Sequence, residues 1–207
     1  YYLNMNFEMN VDDDQFNELY ENLGFGSINF NLYNHWEEVM CIFEYDYNLY
    51  PEIETKTLPF EENFDSGMPC DWKNDTKWTF GNVNDVLGPY WNIPEHNQFA
   101  VSNDDVCDCD MMDDRLISPP LLVDNIESDV NLSFSTFFTG DYGSIANIEI
   151  SNNMGSSWQS ISTINSSNSW QDLTISIGDY ITNDTIQIAF RHSDSHSWGS
   201  GFAIDDI

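Results

Sequence analysis

From about residue 58 to its end, the chain alternates apolar and polar positions with a period of two. Val130, Leu132 and Phe134 alternate with Asn131, Ser133 and Ser135, and Ile148 and Ile150 flank Glu149. Leu173, Ile175 and Ile177 alternate with Thr174 and Ser176, Ile186, Ile188 and Phe190 with Gln187 and Ala189, and Phe202 and Ile204 flank Ala203. This spacing gives each strand one buried face. Turn-forming residues separate the runs at 140–143, 152–155, 165–169 and 193–201. Many short strands, polar turns and little helix predict an all-β fold, a two-sheet β-sandwich over residues 57–207.

Residues 1–56 have a different texture, rich in Asn, Glu and aromatics. Asp12 to Asp14, followed by Gln15, Phe16, Leu19, Tyr20 and Leu23, predicts a short helix with an acidic start, and Gly24 suits its stop. Strands are expected at 27–32 and 39–45. The segment reads as a small mixed α/β or partial domain, or the tail of a preceding one. The stretch from Pro51 to Pro59 reads as an extended junction. The chain starts at Tyr1 and stops within a strand pattern at Ile207, which reads as part of a longer protein.

Charge narrows the function. Across 207 residues, 5 Lys and Arg face 36 Asp and Glu, a formal net charge of −31. Such a surface repels phosphate backbones and excludes nucleic acid as a partner. Aromatics at 15% and hydrophobics at 41% supply a core, so this is not a disordered composition. No apolar run reaches the ~18 residues of a membrane span, so no membrane insertion is expected. Crowded carboxylates call for hard divalent cations, above all calcium, alongside a general acidic surface.

The four cysteines are Cys41, Cys70, Cys107 and Cys109, with no C-x-x-C pair to suggest a zinc ribbon or a redox motif. In an oxidising compartment the simplest arrangement bridges Cys70 to Cys107 or Cys109; free buried thiols are the alternative.

Four segments, in order, resemble one family. Phe64-Asp65-Ser66-Gly67-Met68-Pro69-Cys70-Asp71-Trp72 is similar to the opening of bacterial cleaved-adhesin and choice-of-anchor J domains, and to that of animal MAM domains. Phe99 to Pro119, Glu149 to Trp158, and Ile188 to His192 followed by Phe202 to Ile207 resemble the family's later blocks. Asp65 stands where the family usually has Glu, and the cysteine that precedes this block in MAM domains is missing. The resemblance covers about 150 residues. It implies a jelly-roll sandwich, a structural calcium site and an adhesive or accessory role, as in secreted surface proteins of Bacteroidetes.

The leading metal hypothesis joins Asp65 on the first strand with Asp205 or Asp206 on the last, because a jelly roll lays these strands side by side. Strand alternation puts Asp205 and Asp206 on opposite sides, so one of them ligates. Asn103, Asp104 and Asp105 are candidates to complete the set. The acidic loop with Asp108, Asp110 and Asp113 is a second candidate cation site, although it lacks EF-hand spacing. The bland reading of both clusters is a solvated acidic edge. His192, Asp194 and His196 form H-x-D-x-H without a third zinc ligand nearby. Ser151 to Trp158 approximates an Asp-box in a single copy, which favours a hairpin.

No hydrolase, zincin or phosphate-loop motif is present. Trp91 and Trp198 lie in polar, turn-rich stretches and are expected to be exposed ligand contacts, suited to stacking on sugars or packing against protein. The sequence thus predicts a non-catalytic, calcium-stabilised, secreted extracellular binding module for a protein or glycan. The alternatives are an accessory domain of a secreted peptidase or glycosidase, and a structural repeat with tandem or filament neighbours.

Overall fold

The computed structural model describes residues 27–33, 39–46, 55–74, 78–86, 88, 90–103, 106, 109, 111–123 and 130–207. The chain divides into two compact units, Tyr1–Glu52 and Ile53–Ile207. In the first, β1 (Ser27–Tyr33) and β2 (Val39–Asp46) form an antiparallel hairpin with Phe30 opposite Phe43. The helix expected over 12–23 lies outside the described residues.

The second unit is a two-sheet β-sandwich. Its strands are β3 (Lys56–Thr57), β4 (Lys73–Asn74), β5 (Trp78–Gly81), β6 (Phe99–Ser102), β7 (Asp114–Ile117), β8 (Leu121–Leu122), β9 (Asn131–Phe138), β10 (Ile145–Ser151), β11 (Gln159–Thr163), β12 (Gln171–Ser176), β13 (Thr185–Ser193) and β14 (Phe202–Asp205). One sheet runs β11-β10-β13-β7-β4, with β8 on β13 and β3 beside β8. The other runs β12-β9-β14-β6-β5. All pairings are antiparallel except β3 with β8. Each alternating run found in the sequence falls on or overlaps one of these strands.

Alternation explains where the core sits. Leu132, Phe134 and Phe138 from β9, Ile148 and Ile150 from β10, Ile186, Ile188 and Phe190 from β13, and Phe202 and Ile204 from β14 belong to one buried cluster. Burying each of these side chains is worth roughly 1.5–3 kcal/mol. The second sheet is also apolar on its other face, where Phe99, Val101, Phe137 and Ala203 meet Val86, Trp91 and Ile93. Val86 ends the single-turn helix α1 (Val83–Val86). The segment from α1 to Ile93 therefore supplies apolar cover for the outer face of this sheet.

This cover overturns one expectation. Trp91 is buried, 3% exposed, and stacks on Phe137 at 5.5 Å. A side chain at Gly201 would fall on the Trp91 ring and come 2.5 Å from the Ser102 carbonyl oxygen, so glycine is required there. The polar residues around Trp91 in sequence concealed an apolar sheet face that needed a lid. Trp198 is 79% exposed, so the two tryptophans have different roles.

Candidate functional site

Side-chain parity on β14 places Asp205 on the outer face with Ala203, opposite the face of Phe202 and Ile204. Asp205 pairs in register with Ser135 of β9 and is 1% exposed. Both of its carboxylate oxygens lack a hydrogen-bond partner among the described residues. Burying a carboxylate without partners is costly, and a native fold needs a reason to tolerate it.

His96 faces it. The imidazole Nε2 lies 2.9 Å from Asp205 Oδ2 and 3.7 Å from Asp206 Oδ2. The closer contact is not in hydrogen-bond geometry and Nε2 makes no hydrogen bond; when the ring is protonated it forms ion pairs with both carboxylates. The ring is fixed from behind: it stacks on Trp170 at 4.1 Å and 18°, and the Trp170 indole N–H donates to the Pro94 carbonyl at 3.0 Å. These three side chains each offer one ligand atom within 4.8 Å of the others.

Asp206 reaches the same place because the backbone breaks the strand. Its φ is +49°, in the left-handed region that non-glycine residues rarely adopt. Regular alternation would have sent Asp205 and Asp206 to opposite sides, as the sequence reading assumed. The kink after β14 instead turns both carboxylates toward His96.

Further negative charge surrounds this centre. Glu62 exchanges two backbone hydrogen bonds with Ile207, at 2.8 and 2.9 Å, which joins the start of the sandwich to its last residue. Its Oε1 accepts from the Phe64 N–H at 2.8 Å. Burial pushes the Glu62 carboxyl above its ordinary pKa, and the charges of Asp71 and Asp65 add to this. Burial also raises Asp205, to about 7, and the charges of Asp206, Asp65 and Glu62 reinforce it. The Asp206 backbone N–H offsets part of that rise without reaching hydrogen-bond geometry. Three basic side chains are engaged elsewhere: Lys56 with Asp71, Arg115 with Glu149, and Arg191 with Asp113.

Asp65 is close enough for its charge to act on Asp205, but it occupies a turn rather than a strand. Phe64 has φ +51°, and the Gly67 N–H donates to the Phe64 carbonyl. The Asp65 carboxylate accepts from Asn63 Nδ2 at 3.0 Å, and its carbonyl accepts from Gln98 Nε2 at 2.6 Å. Asn103 is not brought to this site. Register pairs Ser102 with Phe202 and Ala100 with Ile204, so Asn103 lies beyond the far end of β14, roughly 13 Å along the strands from Asp205. It is buried there and donates to the Val86 carbonyl.

Asp104, Asp105, Cys107, Asp108 and Asp110 lie outside the described residues. Asp113 is exposed, and its carboxylate pairs with Arg191, which argues against a role as a metal ligand. No cysteine is free among the described residues, and Cys70 and Cys109 are disulfide-bonded. The H-x-D-x-H residues do not converge on one metal: His192 lies in the interior, His196 is exposed, and Asp194 accepts backbone N–H groups. The single Asp-box approximation is the β10–β11 hairpin, whose turn is held by Asn153 Oδ1 accepting from the Ser157 N–H at 2.9 Å.

Sequence reasoning missed His96 and Glu62. His96 sits in a segment without alternation, and only its place before β6 brings it to Asp205. A cleft of about 680 Å³ opens beside Glu62 and Asp206, lined by Leu58, Phe60, Trp72 and Phe190 among others. No helix among the described residues is long and apolar enough to cross a membrane.

No protein-family profile and no curated protein matches the chain. Among solved structures it is similar to the K2 cleaved adhesin domain of Lys-gingipain, at 17% identity over 71% of this chain and 94% of that one, with a TM-score of 0.47. It is also similar to TmCBM61 in complex with beta-1,4-galactotriose, at 14% identity over 70% and 91% of the two chains, with a TM-score of 0.43. The CBM22-1–CBM22-2 tandem domain of Paenibacillus barcinonensis Xyn10C matches at 12% identity over 80% and 52%, with a TM-score of 0.41.

Proposed function

We propose that this chain is a non-catalytic, secreted extracellular binding module whose sandwich is locked at one edge by a divalent cation. Calcium is the ion that its carboxylate-rich surroundings suggest. The observation that carries this reading is Asp205, a buried carboxylate with no hydrogen bond to either oxygen, held 2.9 Å from a His96 nitrogen that makes no hydrogen bond either. A cation between β14, the His96 segment and the Glu62 segment cross-links parts of the chain that are far apart in sequence. Its binding energy therefore enters the stability of the fold. The exposed Trp198 is suited to contact with a protein or glycan ligand.

The test is thermal unfolding of the chelated protein with and without added divalent cation. At about 100 times the dissociation constant, a native-state ligand adds roughly 2.7 kcal/mol. For a chain of this size that raises Tm by roughly 5–10 °C. Identical melting curves in chelator, calcium, manganese and zinc would remove the basis of the proposal.

A further inference from the structure

We infer that the site formed by His96, Asp205 and Asp206 selects a d-block divalent cation of the zinc or manganese class over calcium, with His96 Nε2 as a direct ligand. This rests on the reading that a cation occupies the site, and it names the ion and the decisive donor.

The first argument is the donor count. Calcium takes 6–8 oxygens. Several of the oxygens nearby are already committed. Glu62 Oε1 accepts from Phe64, the Asp65 carboxylate accepts from Asn63, and the Asp65 carbonyl accepts from Gln98. The ligand atoms that converge within 4.8 Å of one another belong to Asp205, Asp206 and one imidazole. One nitrogen and two carboxylates plus solvent meet the needs of zinc, which is content with three protein ligands and a water. Imidazole with carboxylate also suits manganese, whereas calcium favours oxygen.

The second argument is orientation. Stacking on Trp170 at 4.1 Å and the Trp170–Pro94 hydrogen bond fix the plane of the His96 ring. The nitrogen facing Asp205 makes no hydrogen bond, so the ring packs one face on Trp170 and turns this edge to the carboxylates. The spacing agrees. Adjacent ligands of an ion with bonds near 2.1 Å lie roughly 3.0–3.4 Å apart. The observed 2.9 and 3.7 Å bracket that range. An imidazole nitrogen and a carboxylate oxygen this close, in no hydrogen-bond geometry, are spaced as neighbours in a coordination shell. Asp206 is half exposed and His96 partly so, leaving a side open for water.

The experiment uses the full chain after chelation, titrated calorimetrically with Zn2+, Mn2+ and Ca2+ separately, alongside the His96→Gln and Asp205→Asn variants. The expected result is binding of Zn2+ or Mn2+ at least 10-fold tighter than Ca2+. His96→Gln should weaken the d-block ions 10-fold or more while changing calcium little, and Asp205→Asn should abolish all three. A readout independent of any variant is the electron spin-echo signal of Mn2+-loaded protein, where nitrogen modulation from a bound imidazole is expected.

Calcium binding tighter than both d-block ions, with no nitrogen modulation, overturns this inference and leaves the cation reading intact. Zinc binding that survives Asp205→Asn also overturns it, because the ion then sits elsewhere. Absence of binding by any of the three ions overturns both readings.

Discussion

Two histidine–aspartate neighbourhoods lie at the two ends of β14, and they treat their aspartates in opposite ways. Near Ser102, at the start of β14, His192 is fully buried between the sheets, with Nδ1 2.8 Å from the Ser102 hydroxyl. Asp194, two residues on, accepts the Met111 N–H on Oδ2 and the His196 N–H on Oδ1, both at 2.8 Å. At the far end of β14, Asp205 is equally buried, yet neither of its oxygens has a hydrogen bond. One aspartate ties loops together with satisfied hydrogen bonds. The other leaves a buried charge facing a nitrogen that also makes no hydrogen bond. Both aspartates are buried, and His192 Nε2 is a lone buried nitrogen without a hydrogen-bond partner, so what marks a site for an external ligand is several unmet groups converging on one point.

The comparison makes opposite predictions about pH, and the larger concerns Asp205. Its folded pKa of about 7 lies above the ordinary 3.8. The metal-free fold therefore binds this proton more tightly than the unfolded chain does. The associated stability is present below pH 4 and lost as pH rises to 7, a change on the order of 4 kcal/mol. In chelator, Asp205→Asn should be more stable than the parent at pH 8, with this part of the pH dependence removed. Urea unfolding at pH 5 and pH 8 measures both. Equal pH dependence in parent and variant would mean that the Asp205 charge is already neutralised.

His192 has the opposite sign. Burial lowers its pKa from 6.5 to about 4, with Arg191 pushing the same way and Asp194 opposing. Its contribution is intact above pH 6.5 and is lost as pH falls through 4, on the order of 3 kcal/mol. In chelator the two effects partly cancel between pH 4 and 7. Saturating cation removes the Asp205 effect and exposes the acid loss. His192→Phe should remove that loss, since the site already packs against Phe138 and Phe202. An unchanged acid slope in this variant would assign the loss to another group.

How much of this was legible in the sequence follows from range. Strands such as β9 and β13 write their alternation locally, and the buried face follows from counting by twos. The meeting of the chain's last residues with the segment near Asp65 was expected from the jelly roll that the resemblance implied, although Asp65 itself sits in a turn and the backbone contact is made by Glu62. The site itself was only half legible. Asp205 and Asp206 were visible as a pair, but the positive φ that turns both to one side leaves no local signal in Ile204-Asp205-Asp206-Ile207. His96 was invisible because its importance comes from β6 lying beside β14 and from Trp170, 74 residues later, holding its ring. Asn103 was misplaced for a related reason. The antiparallel register that brings the segment before β6 to Asp205 carries the residue after β6 away from it. Trp91 was misjudged because the outer face of the second sheet is itself apolar, which alternation in single strands does not reveal.

The smallest effect is the sharpest check on the contrast. Asp194→Asn keeps the shape and one acceptor oxygen, but its amide nitrogen cannot accept the second backbone N–H. One of the Met111 and His196 bonds is lost, costing about 1–3 kcal/mol. The cost should be the same with cation and with chelator, because both Asp194 oxygens are already hydrogen-bonded. Asp205→Asn should show the reverse pattern: a loss relative to the parent in saturating cation and a gain in chelator at pH 8. Measuring both variants under both conditions gives four differences from one unfolding assay. If Asp194→Asn also responds to cation, the two ends of β14 are coupled or the ion visits both, and the distinction between satisfied and unsatisfied aspartate fails.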